Sequence, residues 1–306
     1  PNSQVDEPVS VSINSTLEGV SLQLPGTLAK TKNQHKPTSV NINLGDGLVL
    51  PIELDYNNEL KAAIMLSTKE RKINSGHVLI GNGSAKQTKT QGIKLEINRE
   101  QLALQDWFGL ASNQQTNKTT VDVSEVKIHS PTALLNKTRL GVFDLDLKRS
   151  PSEWTGVIDS TLAKGKFQLP LETNGTNPIV LNMDMLNLTA LKQLKSPDAS
   201  SNTKEFKPIV KIQSEKTLWL GRNLGHLILE TQRTPTGMTI KRLDVIGENE
   251  KLLANGNWQE AGLRSKTHID GNIELKKADE FFDKLNITKD LTGASGVINF
   301  NLNWDL

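Results

Sequence analysis

Five histidines are the side chains of this sequence best suited to bind a metal or to transfer a proton near neutral pH. They are scattered along the chain, at His35, His77, His129, His226 and His268. No two of them have the spacing of a helical or hairpin metal site, and the chain has no cysteine, which excludes a thiolate-bound zinc. We therefore expect the histidines to be surface or strand residues, and we expect no metal and no cofactor.

The stretch FDLDL places two carboxylates, Asp144 and Asp146, on one face of an extended strand. Such a pair could bind calcium or act as an acid and a base on a polysaccharide. The same alternation places Phe143, Leu145 and Leu147 on the opposite face, which favours an ordinary solvated strand face for the two carboxylates. The sequence has no serine elbow, and GNGSAK is only part of a dinucleotide-binding fingerprint. An enzyme is therefore not supported.

The charge balance argues against nucleic acid as a partner. Lys and Arg number 36 against 34 Asp and Glu, for a net charge of +2, and the chain has a single tyrosine. A nucleic-acid surface would need an excess of positive charge or a set of aromatic residues on which bases stack. The chain also has no apolar run near the roughly 18 residues of a membrane-spanning helix.

Apolar and polar residues alternate through most of the chain, a pattern typical of half-buried antiparallel strands. Val20, Leu22 and Leu24 predict one such strand, and the turn NNE joins two others into a hairpin. Three stretches have helical spacing instead: NREQLALQDWFGLA, LNLTALKQLK and LKKADEFFDKLNI. The apolar residues that we select as candidates to line a binding face are Leu48, Leu50, Ile52, Leu54, Leu60, Ile64, Leu66, Phe143, Leu145, Leu147, Leu227, Leu229, Trp258, Ile298, Phe300, Leu302 and Trp304.

These elements predict a mainly β fold, an elongated and repeated antiparallel sheet with about three short helices. Groups of strands recur, separated by polar stretches, and suggest approximate repeat units at 1–112, 113–200 and 201–306 of one elongated segment. About 20 strands spaced by roughly 4.8 Å would make a sheet on the order of 90 Å wide, whose apolar face three short helices cannot cover. The sheet must therefore close into sandwiches or barrels, or curl into an open, taco-like groove lined by something other than protein.

Several motifs resemble those of a known family. LEGVSLQLPGTLAK, followed by the hairpin LDYNNELKAAIML, and GIKLEINREQLALQDWFGL resemble segments of the YhdP-type, AsmA-like proteins of Gram-negative bacteria, which also include TamB. NLGHLILETQRTPTGMTIKRLDVIGENEKLLANGNWQ and THIDGNIELKKADEFFDKLNITKDLTGASGVINFNLNW are similar to later segments of that family. The resemblance covers nearly the whole chain, and it depends more on the order and spacing of the motifs than on any single one.

The resemblance implies a periplasmic piece of a larger lipid-transport protein anchored in the inner membrane. In such a protein, phospholipid acyl chains lie in an apolar β-sheet groove, and the protein conducts phospholipids between the inner and outer membranes. It thereby supports outer-membrane biogenesis and the permeability barrier, and it contacts outer-membrane or envelope proteins. The alternative is a structural or assembly scaffold of the envelope, built of closed β-sandwich repeats that bind protein partners.

Overall fold

A computed structural model of the chain describes residues 9–45, 47–107, 122–136, 138–172, 176–189, 209–261, 264–284 and 292–305. Contacts within the chain divide it into two compact units, unit 1 (Pro1–Arg149) and unit 2 (Ser150–Leu306). The predicted mainly β fold is confirmed, with eighteen strands in the described part of the chain. The three predicted repeat units remain a prediction.

The described part of unit 1 contains nine strands, from β1 to β9. Their bounds are β1 (Val9–Ser15), β2 (Thr38–Leu44), β3 (Val49–Tyr56), β4 (Leu60–Ser67), β5 (Lys72–Gly81), β6 (Gly92–Asn98), β7 (Gln101–Ala103), β8 (Val123–Leu135) and β9 (Thr138–Arg149). Neighbours along the chain pair in order from β1 to β6, β6 pairs with β8, the short β7 also pairs with β8, and β8 pairs with β9. The predicted hairpin is present and consists of β3 and β4. In its turn, Asn57 and Asn58 adopt the left-handed backbone conformation that Asn tolerates.

Nine strands also lie in the described residues of unit 2, and they pair in the order of the sequence. Their bounds are β10 (Glu153–Ser160), β11 (Ala163–Pro170), β12 (Ile179–Asn187), β13 (Val210–Trp219), β14 (Arg222–Thr234), β15 (Gly237–Ile246), β16 (Glu250–Ala261), β17 (Arg264–Leu275) and β18 (Gly296–Asp305). A helix, α1 (Ala278–Lys284), lies between β17 and β18. The main buried cluster of unit 2 consists of Ala163, Met183, Leu186 and Leu227.

Most of these strand pairs are antiparallel, as the alternation predicts, but four are parallel. The parallel pairs are β5–β6, β6–β8, β7–β8 and β12–β13. A parallel pair needs a long crossover connection, and the sequence supplies it in the segments 82–91, 99–122 and 188–209. The polar stretches ASNQQTNKTT and KSPDASSNTKEFKP fall in the last two segments, outside the described residues.

The three helical stretches have different outcomes. LKKADEFFDKLNI contains α1, and the first residues after β12 begin a helical turn whose continuation lies outside the described residues. In NREQLALQDWFGLA, Gln101–Ala103 forms β7 before a helical turn at 104–107, so a helix beginning at Asn98 is wrong there. Pairing with Thr132 to Leu134 of β8 holds this segment extended, and tertiary pairing of this kind overrides a helical spacing of apolar residues.

The predicted strand through Val20, Leu22 and Leu24 is also wrong. The segment 17–36 is instead a folded loop with a single bridge between Leu22 and Lys30 and a 3-10 turn at Gly26–Leu28. Two residues at its start, Leu17 and Gly19, have positive φ angles of 53° and 82°, which turn the chain out of the extended conformation. No described helix of this chain is both long enough and apolar enough to cross a membrane.

Candidate functional site

One face of the unit 1 sheet is apolar from strand to strand, and we call it the unit 1 apolar face. Residues in register across β2 to β6 form rows on it, and the central row is Ile42, Ile52, Ile64, Gly76 and Ile93. Residues paired in register project from the same side of a sheet, so each row is a continuous strip of side chains. On β8 and β9 the strip continues as Val126 beside Leu147 and Ile128 beside Leu145.

Unit 2 repeats this arrangement, and we call its surface the unit 2 apolar face. The rows cross β14 to β18, and one of them joins Leu229, Leu243, Ala254, Gly271 and Phe300. The Phe300 ring lies over Gly271, where an added Cβ would come within 2.5 Å of Phe300 Cζ. A larger residue at 271 would therefore push the aromatic ring away from the sheet.

The opposite faces are polar, which makes both sheets one-sided. In unit 1, Asn41, Glu53, His77, Lys94 and Glu125 project from the side away from the central isoleucine row. In unit 2, the polar side carries an exposed network in which Asn301 donates to Asp270 and His268 Nδ1 lies 2.7 Å from Asn303 Oδ1. Water solvates most of these polar side chains, although His77 is buried. The apolar faces offer water no such hydrogen bonds.

The candidate lining residues divide into three groups by exposure. Phe143 and Leu227 are buried, while Ile298, Leu302 and Trp304 are 40%, 50% and 40% exposed. The others within strands are partly buried: Leu50, Ile52, Leu54, Leu60, Ile64, Leu66, Leu145, Leu147, Leu229, Trp258 and Phe300. Leu48 precedes β3 and is 70% exposed. All the strand candidates project from the apolar face of their unit, and their role in lining a binding site remains a prediction.

The apolar faces also contain residues that the candidate list does not include. In unit 1 these are Val9, Val11 and Ile13 of β1, which are 62%, 40% and 52% exposed. In unit 2, Leu243 and Val245 of β15 pair with two candidate residues of β14, Leu229 and Leu227. The alternation in the sequence marks β1, because its apolar residues are separated by serines. In β15 a bulge between Ile240 and Leu243 breaks the alternation and hides the signal.

The two carboxylates of FDLDL project from the polar side of β9 and pair with basic side chains of β8. Asp144 contacts His129, and Asp146 lies 3.3 Å from Lys127 Nζ. The pKa of Lys127 is raised, first by its hydrogen bonds to Asp146 and Glu125. Among the described residues, no three His, Asp or Glu side chains come together as a metal site. Asp146 therefore forms a cross-strand ion pair with Lys127, and Asp144 a cross-strand contact with His129, on a solvated face.

The histidines have unequal environments. His35 is exposed and 3.9 Å from Glu18, and His226 lies partly buried on β14. Hydrogen bonds to Asn303 and then to Asp270 raise the pKa of His268. His77 is the one of the five that is buried, at 7% exposure, beneath the 82–91 crossover. Its Nδ1 accepts a hydrogen bond from the Lys86 N–H at 3.1 Å, so the ring proton of the neutral imidazole is on Nε2.

The burial of His77 makes the stability of the chain depend on pH, and this dependence can be measured. Its pKa is lowered, first by burial and then by the charge of Lys94, against the opposing effects of Glu96 and Glu125. A lowered folded-state pKa means that the contribution to stability is complete above 6.5, the ordinary pKa, and is lost as the pH falls through the folded value. We expect the free energy of unfolding in urea to fall on acidification below pH 6.5, and His77→Gln to reduce that dependence.

His35→Gln is the matched control for this measurement, because the His35 side chain is 59% exposed. It should leave the pH dependence of stability as it is in the unsubstituted chain. If the free energy of unfolding of His77→Gln depends on pH as strongly as that of the unsubstituted chain, the buried imidazole is not the cause of the effect.

The fold and this surface define a class of protein: a mainly β chain whose open sheets each keep one long face apolar and the other polar. A family profile described as YhdP protein matches residues 1–305. The chain therefore belongs to the YhdP family. Comparisons with curated proteins and with solved structures gave no match.

Proposed function

We propose that this chain binds phospholipid acyl chains on its two apolar faces and conducts phospholipids along them. The observation that carries the proposal is the partial exposure of in-register apolar rows, of which Ile298, Leu302 and Trp304 are the most exposed members on β18. Acyl chains would remove this surface from water, with a gain of roughly 0.8 kcal/mol per buried CH₂ group. Membership of the YhdP family supports the same function.

Transport, as distinct from binding, requires that a bound lipid can move. The rows of both faces consist of aliphatic and aromatic side chains, which attract an acyl chain by the hydrophobic effect alone. This attraction has no preferred direction, so a chain can shift from one strand to the next without breaking a specific bond. We propose that the protein acts without catalysis, as a surface on which lipids slide.

The proposed setting is the periplasm of a Gram-negative bacterium, within a longer protein anchored in the inner membrane. Such a protein would exchange lipids with the outer membrane, support outer-membrane integrity, and contact outer-membrane or envelope proteins. These statements depend on the YhdP family assignment. The alternative of a closed scaffold gives a different expectation, because closed sandwiches would bury the apolar residues of these faces.

Photocrosslinking on β18 tests the binding proposal directly. A benzophenone amino acid is placed at Leu302, on the apolar face, or at Val297, which is 62% exposed on the other face of the same strand. The chain is expressed in a Gram-negative host and irradiated, and crosslinked lipid is detected by mass spectrometry after detergent-free purification. We expect phospholipid adducts at 302 and none at 297. Equal labelling at both positions, or no phospholipid in an organic extract of the unmodified chain, would refute the proposal.

A further inference from the structure

The folded loop 17–36 of unit 1 borders an open polar cavity that the apolar faces do not explain. Its volume is about 810 Å³. The wall includes three lysines, Lys30, Lys32 and Lys36, and one carboxylate, Glu59. Ser21, Gln23, Thr31, Gln34 and Asn57 supply further polar groups. The cavity is therefore lined mainly by hydrogen-bonding side chains, and lysines outnumber carboxylates among the charged ones.

Lys30 is the unusual member of this wall, because it is a buried cation without a carboxylate partner. It is only 2% exposed, and its Nζ donates to two main-chain carbonyl oxygens, Val20 O at 2.9 Å and Thr31 O at 3.0 Å. Among the described residues, no Asp or Glu lies within 4.0 Å of this ammonium. An ammonium has three N–H donors, so one donor is left for another acceptor.

Glu59, the one carboxylate among the described residues of the wall, already has several hydrogen-bond partners. Glu59 accepts hydrogen bonds from Thr27, from Asn57 Nδ2 at 2.6 Å and from Arg99 at 3.3 Å, and Lys36 Nζ lies 3.4 Å away. Its one negative charge is thus shared by two cations that are themselves largely buried. Among the described residues of this wall, the charge of Lys30 has no counter-charge of its own.

The cavity lies at one end of the unit 1 apolar face. Lys36 Nζ is 5.3 Å from the ring centroid of Tyr56, the last residue of β3. Tyr56 pairs in register with Leu60 and projects from the same face as Ile52 and Leu54. Its hydroxyl donates to Leu28 O of the loop at 2.9 Å. A ligand with an anionic group in the cavity could therefore place apolar groups toward that face.

We propose that this loop cavity binds a phosphate group, and that the phosphate belongs to the headgroup of an anionic phospholipid. Lysine binds phosphate as a compact point charge, and the unused donor of Lys30 supplies a charge-assisted hydrogen bond. The identification of the ligand as a lipid rests on the proposed function, while binding of a phosphate group rests on the cavity alone.

A charge placed in the cavity wall tests the site without removing the buried lysine. Gln23 is exposed and lines the cavity, whereas Gln87 is equally exposed on the 82–91 crossover outside it. Gln23→Glu and Gln87→Glu add the same charge at nearly constant shape. Binding of inorganic phosphate, short-chain phosphatidylglycerol and short-chain diacylglycerol to the 306-residue chain is measured by titration calorimetry.

We expect Gln23→Glu to weaken binding of phosphate and of phosphatidylglycerol about five- to tenfold, the effect of one like charge roughly 7 Å away at an intermediate dielectric constant. Gln87→Glu should change either affinity less than about twofold, because an exposed distant charge is screened. Diacylglycerol, which has no phosphate, should bind both variants equally. Phosphatidylglycerol should bind more tightly than inorganic phosphate.

Three outcomes overturn parts of this inference. If Gln23→Glu binds phosphate and phosphatidylglycerol as the unsubstituted chain does, the cavity is not the site, even when lipid crosslinks at Leu302 uphold the proposed function. If inorganic phosphate binds as tightly as phosphatidylglycerol, the site is one for free phosphate and the lipid headgroup is wrong. If phosphate binding responds to Gln23→Glu but no lipid is found on the apolar faces, the proposed function fails and the phosphate site stands.

Discussion

Leu302→Glu is expected to remove phospholipid from the unit 2 apolar face at β18 while the chain remains folded. Leu302 is 50% exposed, between Phe300 and Trp304 on the apolar side of β18. A carboxylate at this position keeps its water, so an acyl chain cannot lie over it. If three CH₂ groups lose their contact at about 0.8 kcal/mol each, lipid affinity at this point falls roughly 50-fold.

The effect on folding should be small for the same reason. A side chain that is already half exposed contributes little burial, so we expect the free energy of unfolding to change by less than about 1 kcal/mol. In a closed sandwich the same substitution would bury an unpaired charge in a core and unfold the chain. Bound lipid per chain, measured by mass spectrometry, and urea unfolding of the same sample therefore separate the open groove from the closed scaffold.

Asn299→Glu is the control for Leu302→Glu. It adds the same charge to the same strand on the polar face, where Asn299 is exposed and pairs with Asn272. It should leave bound lipid unchanged. Equal lipid loss in the two variants would show that net charge, and not the apolar face, controls binding; loss of folding in Leu302→Glu alone would favour the scaffold.

Much of the fold could be predicted because strand alternation has a short period and is set locally. The hairpin of β3 and β4 is an example, since a run of alternating residues on each side of an Asn-Asn turn specifies both strands and their register. The apolar side of β18 was predictable for the same reason. Which apolar residues are buried was not, because Phe143 and Ile298 have the same pattern in sequence but are 5% and 40% exposed.

What the sequence could not give depends on contacts between distant residues. β7 is extended because it pairs with β8, although its local spacing is helical. The loop 17–36 contains alternating apolar residues, yet its conformation follows from Lys30 binding Val20 O and from Tyr56 binding Leu28 O. The cavity beside Lys30 is lined from both the loop and the β3–β4 turn, so no local pattern could reveal it.

Glu59→Gln is expected to destabilise unit 1 more than any other neutral replacement of a carboxylate there. Glu59 joins the loop to the sheet, because it binds Thr27 and Lys36 of the loop and Arg99 at the end of β6. The side chains of Lys36 and Arg99 are only 11% and 19% exposed. Glutamine keeps the shape but leaves two largely buried cations without a counter-charge, at a cost of about 2–3 kcal/mol after allowance for partial exposure.

Acidification of the unsubstituted chain should cause the same loss of stability as Glu59→Gln, because it protonates the Glu59 carboxylate. Burial acts to raise the pKa of Glu59, but hydrogen bonds from Thr27, Asn57 and Arg99, together with the charge of Lys36, outweigh it and lower the pKa. A carboxyl group with a lowered folded-state pKa contributes its full stabilisation above 4.5, its ordinary value, and loses it as the pH falls through the folded value. Glu59→Gln should therefore show a flatter decline of stability in this acidic range.

Hydrogen exchange locates the effect, because Glu59 holds one particular segment. We expect amides of residues 17–36 to exchange faster in Glu59→Gln, together with a lower urea midpoint, while Glu53→Gln, at an exposed position on the polar face of β3, changes neither. Equal exchange of that segment in both variants would contradict the network.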